Sequence, residues 1–103
     1  MKIIQKLSDM ISEEIEDSGK YAKCALKWKD ENRGLADVFN SLSVDEMRHM
    51  QILHGEVTKL IEQYRKEHGE PPVEMLAVYN YLHEQQIDKA ADVKAMQMLY
   101  KES

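Results

Sequence analysis

Apolar residues recur at alternating steps of three and four from the start of the chain, which is the spacing of one face of an α-helix. Between positions 3 and about 30 the sequence contains no proline and one glycine. The pattern therefore predicts a first helix that extends over almost all of this segment. The apolar positions of its stripe are Leu7, Ile11, Tyr21, Ala25 and Trp28.

A second stripe follows a turn sequence at 32–34, Asn-Arg-Gly, in which Asn and Gly tolerate the left-handed backbone that commonly ends a helix. From Leu35 to about His68 apolar residues again recur at helical spacing, which predicts a helix about 50 Å long. The sequence Gly-Glu-Pro-Pro at 69–72 ends it, because proline cannot continue the hydrogen-bond ladder. Two long helices joined by a tight turn predict an antiparallel helical hairpin. Its second stripe contains Leu35, Phe39, Leu42, Leu53, Leu60 and Tyr64.

Helical spacing returns after the two prolines, in 73–81 and again in 87–100. Propensity does not decide between one helix and two, and we expect a break near 83–86. The predicted fold class is all-α, with a long helical hairpin at 1–68 and short C-terminal helices at 73–103 in the same single domain. The apolar positions of this last segment are Met75, Val78, Leu82, Val93, Met96 and Tyr100.

Three ionisable residues interrupt the two stripes of the hairpin. Glu14 stands on the first stripe, and Glu46 and His49 stand on the second. Burying such groups alone costs several kcal/mol, so they need a cation or a hydrogen-bonding network. In a hairpin that turns near residue 32, position 14 lies level with about position 50, and the i, i+3 spacing puts Glu46 and His49 on one face. The sequence predicts that the three side chains converge.

Two carboxylates and one imidazole make a ligand set that suits iron or manganese better than a thiolate zinc site. Three ligands do not complete a di-metal site, however, and the chain contains no second Glu-x-x-His sequence. The alternative is that Glu46 and His49 form a buried polar network that fixes the register of the helices.

The order of these residues resembles the half-motif of the ferritin-like superfamily, as in rubrerythrins and especially in encapsulated ferritins. Glu14 is followed seven residues later by Tyr21, and the Glu-x-x-His sequence of Glu46 and His49 comes after the interval of a long helical hairpin. The acidic cluster at 13–16 is similar to that family's segment around its first ligand.

The resemblance, which covers about 3–65, implies a four-helix bundle that two hairpins complete by dimerisation. It implies that Glu14, Glu46 and His49 are iron ligands of an intersubunit di-iron carboxylate site, and that Tyr21 is the aromatic residue beside them. The implied chemistry is a ferroxidase-like oxidation of Fe(II) by oxygen or peroxide. The implied assembly is a homodimer or a larger even-numbered homo-oligomer.

Two further features of that family fit this chain less closely. By the same likeness Glu13 and Glu16 would form an outer cation-entry site, but helical spacing turns them away from Glu14 and favours a solvated face. The sequence at 98–103 lacks the hydrophobic targeting tail of encapsulin cargo, so an encapsulin shell is not the expected partner.

Composition excludes several other classes of protein. With 103 residues the chain forms one domain at most and buries a modest part of its surface, so burial against a partner is expected. The net charge is −5 and Lys and Arg are scattered, which is unlike a nucleic-acid binder. The single Cys24 excludes an internal disulfide and a rubredoxin-like cluster. No apolar run suits a signal peptide or membrane span, so a cytoplasmic location is expected by default.

A second function stays open at this point. The chain could be a non-catalytic helical interaction module, an adaptor or regulatory subunit that keeps a ferritin-like fold around a decayed site. Its C-terminal helices, rather than the core of the hairpin, would then supply the contact surface.

Overall fold

The computed structural model describes residues 2–103, and every regular element in that range is an α-helix. The three helices are α1 (Lys2–Trp28), α2 (Arg33–His68) and α3 (Val73–Glu102). Helices α1 and α2 form a long antiparallel hairpin, and α3 packs mainly on α1. The result is an elongated body of 56 × 19 × 18 Å. The all-α prediction is confirmed for the described residues.

The turn between α1 and α2 is a helix cap and not a left-handed turn. Asn32 has a φ of −151°, and its side-chain oxygen accepts a hydrogen bond of 3.1 Å from the backbone N–H of Leu35. Gly34 lies inside the first turn of α2, which begins at Arg33 rather than at Leu35. The predicted left-handed backbone at 32–34 was therefore wrong, because Asn serves here as an N-cap.

The other end of α2 follows the sequence signals. Gly69 has a φ of 79°, in the left-handed region that favours glycine, and its N–H donates to the carbonyl oxygen of Arg65 at 3.0 Å. The two prolines that follow separate α2 from α3. The stop at 69–72 is confirmed.

Helix α3 is one continuous helix, so the expected break near 83–86 was wrong. No glycine or proline interrupts 73–103, and glutamine is a good helix former. Gln86 is buried and donates hydrogen bonds to the carbonyl oxygen of Ser8 at 3.0 Å and to the hydroxyl of Ser12 at 3.0 Å. Gln86, one of the polar residues near the expected break, instead attaches α3 to α1.

On α2 the buried residues follow the residues of the predicted apolar stripe by one position. Ala36, Ser43 and Met47 are buried, whereas Leu35 and Leu42 are 40% and 36% exposed. One residue corresponds to a rotation of 100° about the helix axis. The predicted stripe therefore lies beside the core and not at its centre. The main core cluster consists of Ile4, Ile11, Ile15, Ala22, Met47, Val57, Ala90 and Val93.

The hairpin thus has two faces of different character. The closed face is the side buried beneath α3, and it includes Ser18 and Ser43. The open face is the apolar stripe that shares its helical spacing with Glu14 and Glu46. Its most exposed apolar members, between 36% and 54% exposed, are Ile3, Met10, Leu35, Val38 and Leu42, whereas Leu7, Tyr21, Phe39 and Leu53 are partly buried.

Candidate metal centre

Glu14, Glu46 and His49 meet on the open face of the hairpin. Glu14 lies on α1. Glu46 and His49 lie on α2, where a spacing of three residues places them about one turn apart on the same face. His49 Nδ1 lies 3.7 Å from Glu14 Oε2 and 3.7 Å from Glu46 Oε1. One potential ligand atom of each residue lies within 4.8 Å of the other two. Within 2–103 no other group of three His, Cys, Asp or Glu residues meets this condition.

The cluster lies at the surface of the hairpin rather than in its core. The side chains of Glu14 and Glu46 are 25% and 21% exposed, and that of His49 is 47% exposed. Although it lies near the surface, Glu14 Oε2 is shielded from solvent and accepts no hydrogen bond from any described residue. A shielded carboxylate oxygen without a donor is unfavourable, typically by about 1–3 kcal/mol or more for a charged group. A bound cation would remove that cost.

The proximity of the two carboxyl groups raises the pKa of Glu46 to about 7. The largest cause is hydrogen bonding to the Glu14 carboxyl group, which is possible only when one of the two carries a proton. The shielded oxygen of Glu14 lacks a donor in the described chain when both groups are ionised. Partial burial and the charge of Glu14 raise the pKa further, and His49 lowers it. The cluster therefore holds a proton near neutral pH that a cation could displace.

The donor set fits iron or manganese. Carboxylate oxygens and an imidazole nitrogen are ligands that these ions accept, and the set lacks the thiolates of a structural zinc site. Ligand atoms around an octahedral ion stand about 3 Å apart, for bonds of about 2.1 Å. The separations of 3.7 Å are slightly wider, so small side-chain rotations would bring the ligands into range. Among residues 2–103 of one chain, these three side chains are the donors of the cluster.

The structure places Tyr21 against an aromatic neighbour. Its ring is partly buried and stacks on Phe39, with ring centroids 6.4 Å apart. It makes no side-chain hydrogen bond to Glu14, Glu46 or His49 within the described chain. Its place beside the metal ligands stays a prediction of the resemblance.

The acidic residues that flank Glu14 are exposed. Glu16 pairs with Lys20 at 3.6 Å, with both side chains about two-thirds exposed, and Glu13 faces solvent. This is the arrangement of a solvated helix face, as helical spacing indicated. Neither residue belongs to a cation-holding cluster in the part of the chain that the structure describes.

Sequence reasoning missed a stack of aromatic rings between α2 and α3. The rings of His54 and His83 stack in parallel with centroids 4.6 Å apart. Tyr79 stacks on His83 at 5.8 Å. Burial and then the neighbouring His54 lower the pKa of His83. No spacing rule pairs residues on separate helices, so only the packing of α3 reveals this contact.

Comparison of the chain with protein-family models, with curated proteins and with solved structures finds no match in any of the three. The likeness to ferritin-like proteins therefore rests on the motif residues and on the hairpin that carries them. Among the helices of residues 2–103, none combines the length and the apolar character needed to cross a membrane.

Proposed function

We propose that this chain is an iron-binding protein of the ferritin-like kind, in which two copies bring two Glu14/Glu46/His49 clusters together into one di-iron carboxylate site that oxidises Fe(II). The observation that carries the proposal is the convergence of these residues around a shielded carboxylate oxygen that has no hydrogen-bond donor. The open face of the hairpin is the surface through which the two copies associate.

The exposure of the cluster supports an intersubunit site. Three donors leave a metal ion with vacant coordination positions, and His49 is nearly half exposed on the side away from the core. The flanking apolar residues Met10, Leu35 and Leu42 are exposed in the single chain, and a second copy would cover them. A twofold axis through this face would make the contact self-complementary and would double the ligand set to four Glu and two His.

The residues of the chain would divide the work of holding the metal. Glu14 and Glu46 supply negative charge, and Glu46 gives up its proton when the cation arrives. His49 supplies a neutral nitrogen donor. A bound pair of Fe(II) ions would supply two electrons, one from each iron, which together with two protons reduce oxygen to hydrogen peroxide or hydrogen peroxide to water. Manganese has similar ligand preferences and is the other candidate metal.

The test is an anaerobic Fe(II) titration followed by oxygen addition, with absorbance of the ferric product in the near ultraviolet as readout. We expect saturation near one iron per chain and rapid oxidation in the wild type. Glu46→Ala and His49→Ala should lose both properties, whereas the exposed controls Glu67→Ala and His68→Ala should retain them. Equal binding by wild type and by the cluster variants would exclude the proposed site.

The alternative is a non-catalytic interaction module, and the outer surface of α3 favours it. Val78, Tyr81 and Leu99 are between 58% and 63% exposed, which is unusual for a helix that covers a core. An adaptor of this kind should carry no stoichiometric metal. Elemental analysis of protein purified from cells grown with added iron separates the two functions. Only the di-iron protein should retain iron at a fixed molar ratio to the chain.

A further inference from the structure

Helices α2 and α3 leave an open groove along the side of the bundle. One part has a volume of about 420 Å³ and lies between Gln51 on α2 and Ile87 on α3. A second part of about 640 Å³ lies between Val44 and Met98. Both parts are lined by Lys94, so they follow one another along the same two helices. We call this feature the α2/α3 groove.

The residues that line the two walls of the groove recur at helical spacing. On α2 the lining extends from Arg33 to His54, a distance of about 32 Å at 1.5 Å per residue. On α3 one row of lining residues recurs at steps of three and four, over a distance of about 27 Å. The row consists of His83, Ile87, Ala91, Lys94, Met98 and Lys101. Two walls of about this length match one side of a helix of about five turns.

The lining is apolar with exposed side chains. Val44, Ile87 and Met98 are 47%, 52% and 62% exposed. These side chains flank the groove where α2 and α3 make few contacts with each other. An amphipathic helix laid in the groove would bury them and would add a fourth helix to the bundle.

The charge of the groove is opposite to that of the protein. The chain carries 19 Asp and Glu residues and a net charge of −5, yet within residues 2–103 neither part of the groove is lined by a carboxylate. Lys94 and Lys101 have no carboxylate within 4 Å among the described residues. Arg33 pairs with Asp37 at 3.4 Å and covers the ring of Tyr100. Within the described chain, the groove therefore presents two lysines without a carboxylate partner on an acidic protein.

The floor of the groove is fixed by side-chain hydrogen bonds. Gln97 donates to the hydroxyl of Ser43 at 2.9 Å, and the hydroxyl of Tyr100 donates to Asp37. These contacts join α3 to α2 beneath the exposed apolar residues. A preformed groove loses little conformational entropy when it binds a partner.

We propose that the α2/α3 groove is the docking site for an amphipathic helix of a partner protein, with acidic residues on both sides of the helix's apolar stripe. The unpaired Lys94 and Lys101 select the acidic flanks, and the apolar lining binds the stripe. A second copy of this chain is the poorer occupant, because contact between this groove and another face would be heterologous and would not close into a dimer. The proposal does not depend on metal at Glu14, Glu46 and His49.

The experiment is a selection from a library of helical peptides of about five turns. Apolar residues are fixed at the stripe positions, and the flanking positions vary among Glu, Gln and Lys. We expect Glu to be enriched in the peptides that bind the full chain. The double variant Lys94→Glu/Lys101→Glu should bind them at least about tenfold more weakly, and salt should weaken wild-type binding. The control Lys2→Glu/Lys66→Glu carries the same change in net charge away from the groove and should bind normally.

Circular dichroism and thermal unfolding establish that both double variants remain folded. Enrichment of Lys or Gln at the flanks, absence of any binding peptide, or equal binding by the groove variant would overturn the proposal. Sedimentation of the chain without peptide tests whether a second copy of the chain occupies the groove instead. A change in oligomeric state in Lys94→Glu/Lys101→Glu, but not in the control, would assign the groove to a second copy and overturn the partner assignment.

Discussion

The closed and open faces of the hairpin both carry polar residues within apolar stripes. Ser18 and Ser43 of the closed face satisfy each other, whereas Glu14 of the open face has a shielded oxygen without a donor among residues 2–103. Ser18 and Ser43 are fully buried and exchange hydrogen bonds of 2.7 and 2.8 Å with each other's backbone carbonyl oxygens. Gln97 adds a third bond to Ser43. On the open face Glu14 Oε2 is shielded and has no donor in the described chain. Satisfied polar groups fix how helices pack, whereas unsatisfied ones indicate that a ligand is missing.

The largest expected effect is on the closed face. Ser43→Leu would remove the paired hydrogen bonds and force a larger side chain into a fully buried position. We expect it to lower the free energy of unfolding by about 3 kcal/mol or more, or to prevent folding. Chemical denaturation followed by circular dichroism measures this. Ser41→Leu, at an exposed position on the same helix, is the control and should change little.

A smaller loss is expected where α3 attaches to α1. Gln86→Ala removes hydrogen bonds to Ser8 and Ser12 and leaves the carbonyl oxygen of Ser8 with one partner fewer. We expect unfolding to become easier by about 2 kcal/mol. Gln85→Ala, at the exposed neighbouring position, should be close to neutral. Equal effects of the two substitutions in denaturant titrations would contradict the role given to Gln86.

The open face should bind metal with a dependence on pH that follows from Glu46. Below its pKa of about 7 the carboxyl group holds a proton that a cation must displace, so affinity should rise about tenfold per pH unit and level off above 7. In the metal-free protein, folding stability changes with pH in the direction opposite to metal affinity. Between the ordinary pKa of 4.5 and 7, folded Glu46 holds a proton that the unfolded chain releases, so stability falls as pH rises.

Calorimetric titration with Mn(II) under anaerobic conditions at several pH values measures the first of these effects. Denaturation in the presence of a chelator measures the second. A Mn(II) affinity that stays constant between pH 5.5 and about 7 would contradict the proton displacement assigned to Glu46.

The smallest expected effect sharpens the contrast between the faces. Glu46→Leu removes one of two adjacent carboxyl groups and extends the apolar stripe between Leu42 and Leu53. In the absence of metal we expect stability to be unchanged or to rise by about 1 kcal/mol, while Mn(II) binding is lost. Denaturation with chelator present is the measurement. A loss of more than about 1 kcal/mol would show that Glu46 belongs to a structural network and not to a ligand site.

The sequence predicted the hairpin, its stop at Gly69 and the convergence of Glu14 with His49. These depend on local spacing and on the rise per residue of two helices joined by a short turn, which a single sequence contains. Ferritin-like identity and dimerisation stay predictions, because they depend on a resemblance and on contacts between chains.

The sequence did not predict which stripe α3 would cover. On α2 the large apolar Leu35 and Leu42 indicated the core, but Ala36 and Ser43 are buried because small residues allow the helices to approach closely. Periodicity cannot separate two stripes that differ by one residue when a further helix chooses between them. The continuity of α3 and the contact of its His83 with α2 depend on tertiary packing in the same way.

The central claim is that a second copy completes the metal site on the open face. Native mass spectrometry of the chain loaded anaerobically with Fe(II) tests it directly, with Glu46→Ala as the matched control. The claim predicts a species of two chains with two irons, or an even multiple of it, which diminishes in the variant. Iron-free chains, or single chains that each hold iron without associating, would contradict it.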